Sequence, residues 1–225
     1  MRRIKRVLVS VVMLIIAINA NAWPWLSPYA YCNNNPVKFV DPDGKEIRIW
    51  YKGQNGADKY FSFTGFHGQQ SINVPNQFVK DVIRSYVYNC SNGGGESLRN
   101  LVHSKNVVYI DDARLTDGRN SFQNNGHQPT IYWNPDNGII TSDGGRQSAA
   151  TILEHEADHA NDYVKNAHDH NERSGKADAQ YDSKEERRVI LGSESKTAIS
   201  NGESVRNDHK GTPYRTKDPT STENF

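Results

Sequence analysis

The chain has 225 residues, 27 lysines and arginines against 26 aspartates and glutamates, and 35% hydrophobic residues. That length suits one domain with short appendages, and a net charge of +1 gives no electrostatic case for a nucleic-acid binder. Eleven Tyr, seven Phe and four Trp are enough aromatic mass for a core, which excludes wholesale disorder, while two cysteines exclude a disulfide-dense scaffold or a Cys-rich zinc ribbon. Low apolar content with plentiful Asn, Gly and Ser points to a loop-rich α+β domain.

Arg2, Arg3, Lys5 and Arg6 precede the apolar run from Val7 to Ile18, which Ala20-Asn21-Ala22 closes. This charged, apolar, small-residue order is that of a secretory signal peptide over residues 1–22. The run falls short of the roughly 20 residues a transmembrane helix needs, so no stable membrane span is expected. Its removal takes away four positive charges and no negative ones, leaving −3 in place of +1. The chain is therefore expected to be secreted or periplasmic. Export permits a disulfide between Cys32 and Cys90; the sequence leaves their pairing open, two unrelated thiols being the simpler reading.

Residues 23–46 are dense in turn formers, among them Trp23-Pro24, Ser27-Pro28, Asn33-Asn34-Asn35-Pro36 and Asp41-Pro42-Asp43-Gly44. They read as a linker. The order Tyr29-Ala30-Tyr31-Cys32-Asn33-Asn34-Asn35-Pro36 followed by Asp41-Pro42-Asp43-Gly44 resembles the closing segment of the Rhs-repeat core in bacterial polymorphic toxins. In that family a variable toxin domain begins just after the Asp-Pro-x-Gly element. The shell-forming repeats are missing here, so encapsulation and self-cleavage do not carry over.

From residue 47 onward the pattern is that of a folded domain. Ile47, Ile49 and Tyr51 alternate with polar residues, and Tyr60 to Phe63 follows Gly53 and Gly56, which predicts a hairpin. Phe78, Val82, Ile83, Tyr86 and Val87 recur at helical spacing until Gly93-Gly94-Gly95. A short helix near Leu98 to Val102, a strand from Val107 to Ile110, a polar loop over 112–128 and a strand from Thr130 to Trp133 come next. Residues 201–225 are polar and turn-rich, and no element is assigned to them.

Between these lies Ala149-Ala150-Thr151-Ile152-Leu153-Glu154-His155-Glu156-Ala157-Asp158-His159-Ala160. Histidines at i and i+4 on a helix point the same way, so His155 and His159 can reach one metal ion, and Glu156 beside them can deprotonate a water held there. On the helical wheel, Ile152, Leu153, Ala149, Ala160 and Tyr163 share an arc with His155, Glu156 and His159, whereas Glu154, Asp158, Asn161 and Lys165 fall opposite, on the face expected to meet solvent. A buried His-Glu-His set is costly alone, and a divalent cation is its natural partner.

The segment resembles the active-site helix of zinc metallopeptidases, the zincins. Residues 131–211 resemble metallopeptidase domains attached to Rhs proteins and, more loosely, effector peptidases of the NleD type. The resemblance implies a zincin-like α+β domain over 47–225 with a small antiparallel sheet, Zn2+ as cofactor, His155 and His159 as metal ligands and Glu156 as the catalytic base. It further implies a protein or peptide substrate and a cognate immunity protein, while the charge of −3 left after removal of residues 1–22 and the lack of a Lys/Arg stripe speak against a nucleic-acid partner. Thr130 to Trp133 is similar to the zincin edge strand that pairs with an extended substrate.

Asp162 and Lys165 stand where a metzincin needs its glycine and third ligand, and Gly211-Thr212-Pro213-Tyr214-Arg215 lacks the aspzincin aspartate. What remains is a later glutamate. His168 and His170 sit in a polar run that reads as a solvated turn. The segment from Asp182 to Glu194 reads as a helix start with two capping boxes, Ser183 with Glu186 or Asp182 with Glu185. If Asp182 caps, Glu186 enters the helix on the side of Val189 and Ile190. Glu186 is the expected third ligand; Glu194, beyond the helix-weakening Gly192, and Glu185 stay open as alternatives. Arg206, His209 and Tyr214 stand in a tail that resembles the closing segment of these toxin domains; one of them could donate a hydrogen bond to a tetrahedral oxyanion, ordinary surface residues of the tail being the open alternative. Two other functions compete: an Rhs-linked nuclease seeded by Asp208-His209 or Asp169-His170, and a catalytically inactive zinc-binding relic.

Overall fold

The computed structural model describes residues 46–65, 74–124 and 128–225. The expected signal peptide, nearly all of the expected linker over 23–46 and Cys32 lie outside the described residues.

Strands β1 (Ile47–Lys52) and β2 (Asp58–Phe63) form the expected hairpin, turning through Gly56 at φ +77, where a side chain would be strained. The chain then forms α1 (Gln77–Ser91), whose first turn is capped by the Asn76 side chain accepting from Val79 N, and α2 (Glu96–Val102). It returns as β3 (Val108–Asp112), parallel to β1, followed by β4 (Ser121–Asn124) and β5 (Pro129–Trp133). The sheet order is β2-β1-β3-β5-β4, with β5 parallel to β3 and antiparallel to β4. The main sheet is thus five-stranded and mixed, antiparallel only at its β2-β1 and β5-β4 ends. The two helices between β2 and β3 form a crossover, and a crossover allows the parallel pairing that a hairpin cannot.

One face of this sheet presents Ile47, Ile49, Phe63, Val108, Ile110, Ile131 and Trp133, all essentially inaccessible. It packs on Phe78, Val79 and Val82 of α1, on Leu98 and Leu101 of α2, and on α3 (Ala149–Lys165). The alanines at 149, 157 and 160 let α3 approach closely, and the Trp133 indole N–H donates to Ala149 O at 2.8 Å.

Helix α3 is buried on every side from Ala149 to Asn161, so the expected solvent face is confined to its last turn. Glu154 is fully buried and accepts from Ser97 N at 2.7 Å and Leu98 N at 3.1 Å. It supplies the cap that Gly95, at the N-cap of α2 and without a side chain, cannot provide. Burial pushes the Glu154 carboxyl up to about 8 against the pull of those two N–H donors. Glu154→Ala leaves both N–H groups buried and unpaired. It is expected to cost about 2–4 kcal/mol in denaturant unfolding, and a midpoint equal to that of the wild type would show that the cap carries no weight. Asp158 is buried against Arg188 at 3.1 Å and accepts from Ser193 Oγ at 2.6 Å.

A second sheet, order β10-β6-β7, is antiparallel: β6 (Asn137–Ile140), β7 (Arg146–Gln147) and β10 (Thr212–Arg215). The 201–225 tail therefore contributes a strand, which the sequence reading did not assign. Gly138 makes this possible, since a Cβ there would lie 2.5 Å from Gln147 O and 2.7 Å from the Tyr214 ring. The rest of the chain forms α4 (Ala167–Ser174), short strands β8 (Ala177–Asp178) and β9 (Asp182–Ser183), α5 (Lys184–Val189), and α6 (Ser195–Asn201) beyond a π-type turn broken at Gly192. Among the described residues no helix is long and apolar enough to cross a membrane.

Candidate metal centre

Helix α3 places His155 and His159 one turn apart, with Nε2 atoms 3.1 Å apart and rings nearly perpendicular. Glu156 points into the same cleft and is 6% exposed. Facing them is the start of α5. Ser183, not Asp182, is its N-cap, accepting from Glu186 N at 3.1 Å. The Glu186 side chain does not fold back to complete a capping box. Its Oε2 lies 3.2 Å from His155 Nε2 and its Oε1 lies 3.3 Å from His159 Nε2. Although Oε2 is buried and close to these nitrogens, it forms no hydrogen bond of acceptable geometry.

The other two candidate glutamates stand behind the histidines. Glu194 Oε2 is 2.6 Å from His155 Nδ1, and the same carboxylate accepts from Gln147 Nε2 at 2.9 Å and Arg206 Nε at 2.8 Å. The break at Gly192 re-aims the chain so that Glu194 reaches His155 from behind. Glu185 Oε1 is 3.4 Å from His159 Nδ1 and 3.3 Å from His170 Nδ1, and Arg173 and Arg188 each bind this carboxylate at 2.7 Å. His155 is thus held at Nδ1 by Glu194, Glu185 lies behind His159 Nδ1, and both imidazoles present Nε2 to Glu186. The sequence leaves these three glutamates open for one role, and the structure brings all three to the histidines in two different positions.

The electrostatics favour positive charge where the Nε2 atoms meet. Burial opposes the imidazolium of His159, but Glu185 and Glu186 outweigh it and raise its pKa to about 10. His155 is raised in the same way, burial being outweighed by Glu186 and Glu194. Burial likewise opposes ionisation of Glu186, yet the two histidines hold its carboxyl well below the usual carboxylate range. Burial pushes Glu156 up, against the pull of His155 and His159.

His168 is exposed as expected. His170 is not in a solvated turn: it lies on α4, buried, with its ring 5.9 Å from that of His159 and 5.7 Å from that of Phe122. A polar run with no apolar periodicity gave no sign of this. Arg206 is buried against Glu194, yet it lines the smaller cavity beside His155 and Glu156, whereas Tyr214 is turned away and donates its hydroxyl to Gln147 O at 3.3 Å. His209 faces the cleft, with Nδ1 2.6 Å from Asp182 Oδ2 and Nε2 3.3 Å from Glu186 Oε2.

Two cavities, of 240 and 420 Å³, flank the histidines and share Asn120, His155, Glu156 and His209 in their walls. Ser121 and Phe122 of β4 line the larger one. Strand β4, not Thr130–Trp133, is the edge of the main sheet; β5 is interior, paired on both sides.

A sequence profile of the peptidase M91 family, described as effector protein, matches residues 50–220. No curated protein and no solved structure matches the chain. The profile spans the His155-Glu156-x-x-His159 helix, the α5 glutamates and the Arg206–Pro213 tail alike, and the chain belongs to the peptidase M91 family of effector proteins.

Proposed function

We propose that this peptidase-family effector is a zinc-dependent endopeptidase with a zincin-like site, exported and acting as a bacterial toxin or effector on a protein target. One observation carries the reading. The Nε2 atoms of His155 and His159 and the Glu186 carboxylate stand 3.1–3.3 Å from one another. Ligands about 2.05 Å from a tetrahedral zinc ion are separated by about 3.3 Å. The donor set, two imidazoles and one carboxylate, is one that zinc takes in catalytic sites. The Glu186 oxygen that is buried without a hydrogen bond, and the carboxylates behind each Nδ1, fit the same group.

When bound, zinc would supply Lewis acidity, acidifying a water and polarising the scissile carbonyl. Glu156 takes the proton of the attacking water onto its carboxylate and returns it to the departing amine nitrogen. Glu194 and Glu185 keep the Nδ1 protons in place, so that each Nε2 lone pair stays turned towards Glu186. Strand β4 offers its free edge to an extended peptide, which would run past Glu156 between the two cavities. A toxin of this kind needs a cognate immunity protein in the cell that makes it, and the linker resemblance favours an Rhs-derived origin.

The exported chain, residues 23–225, tests the reading. Metal analysis is expected to find one zinc ion per chain, and casein hydrolysis should stop on treatment with 1,10-phenanthroline and resume when zinc is added back. Hydrolysis unaffected by the chelator, or plasmid nicking in place of proteolysis, overturns the proposal.

A further inference from the structure

We propose that His209 is a fourth protein ligand of this site in the resting protein, and that it leaves when substrate enters; the inference rests on the zinc reading above. Three histidines in the structure repeat one arrangement. His155 sets Nδ1 against Glu194 at 2.6 Å and Nε2 against Glu186 at 3.2 Å. His159 sets Nδ1 against Glu185 at 3.4 Å and Nε2 against Glu186 at 3.3 Å. His209 sets Nδ1 against Asp182 at 2.6 Å and Nε2 against Glu186 at 3.3 Å. A carboxylate on Nδ1 fixes the proton there and leaves the Nε2 lone pair for a metal. The ligand atoms of His155, Glu186 and His209 lie within 4.8 Å of one another, and the rings of His155 and His209 are stacked 6.4 Å apart.

Asp182 shows that this placement is imposed. It has φ +65, the left-handed region, and is the one non-glycine residue there among the described residues. Aspartate tolerates that conformation, but it still costs energy, and such strain collects at functional sites. The conformation turns the carboxylate towards His209 while the neighbouring Ser183 caps α5.

What distinguishes His209 is its freedom to leave. His155 and His159 are fixed on a buried helix, with side chains 5% and 8% exposed. His209 is 31% exposed and belongs to the irregular segment between α6 and β10. It lines both cavities, so its withdrawal opens the fourth position to the cleft where a peptide would lie. A closed coordination shell at rest would keep the effector latent until a substrate carbonyl competes with the imidazole.

Zinc X-ray absorption on the exported chain reads the ligand count without reference to turnover. Three imidazoles are expected in the zinc-loaded wild type and two in His209→Ala, with zinc affinity in chelator competition falling at least about tenfold. Asp182→Asn, which keeps the ligand but removes the carboxylate behind it, should weaken zinc in the same direction by less. In the cobalt(II) form, azide should perturb the visible spectrum of His209→Ala at concentrations that leave the wild type unchanged. Zinc held by two imidazoles in the wild type, with equal affinity in His209→Ala, overturns this proposal and leaves the zinc reading standing. A wild-type chain that binds no zinc overturns both.

Discussion

Glu156→Gln is expected to lower casein hydrolysis by about 10²–10⁴-fold while zinc content stays at the wild-type level. The amide keeps the size and shape of the side chain, so His155 and His159 keep their places on α3. It cannot accept the proton of the attacking water. The surroundings of Glu156 sharpen the contrast, because burial pushes its carboxyl up and makes it a better proton acceptor than an exposed carboxylate. Neighbouring acids do not stand in for it. Glu185 and Glu194 are committed to Arg173, Arg188 and Arg206, and Glu186 lies against the two histidines. Turnover in the glutamine variant within tenfold of wild type, with zinc bound, would assign the proton transfer to another group.

The central motif was legible because its geometry is local: residues at i, i+1 and i+4 of one helix need nothing beyond helical periodicity to meet. For the proposed third ligand the sequence leaves three glutamates open, Glu185, Glu186 and Glu194. Separating Glu186 from Glu194 requires the break at Gly192, which turns Glu194 towards the back of His155, and one sequence does not reveal that turn. Helical-wheel reasoning failed for Glu154 and Asp158 because it assumes a helix with one wet face. Helix α3 lies under the sheet and beside α2 and α5, so its polar side is spent on capping α2 and on pairing with Arg188. Strand β4 was missed since Ser121-Phe122-Gln123-Asn124 holds a single apolar residue, and its extended form comes from pairing with β5. The parallel pairing of β1 with β3 was hidden for the same reason. It joins segments about sixty residues apart, and no local pattern encodes the partner. His209 and Asp182 belong together only in space.

Alanine at Glu186 is expected to weaken zinc by more than about 100-fold, whereas glutamine at Glu185 or at Glu194 should weaken it by about 10- to 100-fold, the range for groups that orient a ligand from behind. The ranking follows from which imidazole nitrogen each carboxylate meets. Glu186 meets both Nε2 atoms, so its loss removes a donor from the site itself. Glu194 and Glu185 meet Nδ1 of His155 and His159, so their loss frees a ring to rotate or change tautomer while the donor count stays the same. Stability separates the variants a second time. Arg206 is 4% exposed and depends on Glu194 for its charge partner, so Glu194→Ala, which strands that guanidinium, should cost about 3–5 kcal/mol in denaturant unfolding. No buried arginine is paired with Glu186 among the described residues, and Glu186→Ala should unfold much closer to the wild type in the zinc-free state. Chelator competition and unfolding on the same three positions therefore give two independent orders. If Glu186→Ala holds zinc as tightly as the wild type while either neighbour's variant does not, Glu186 is not the third ligand, and the neighbour whose loss releases the metal takes its place.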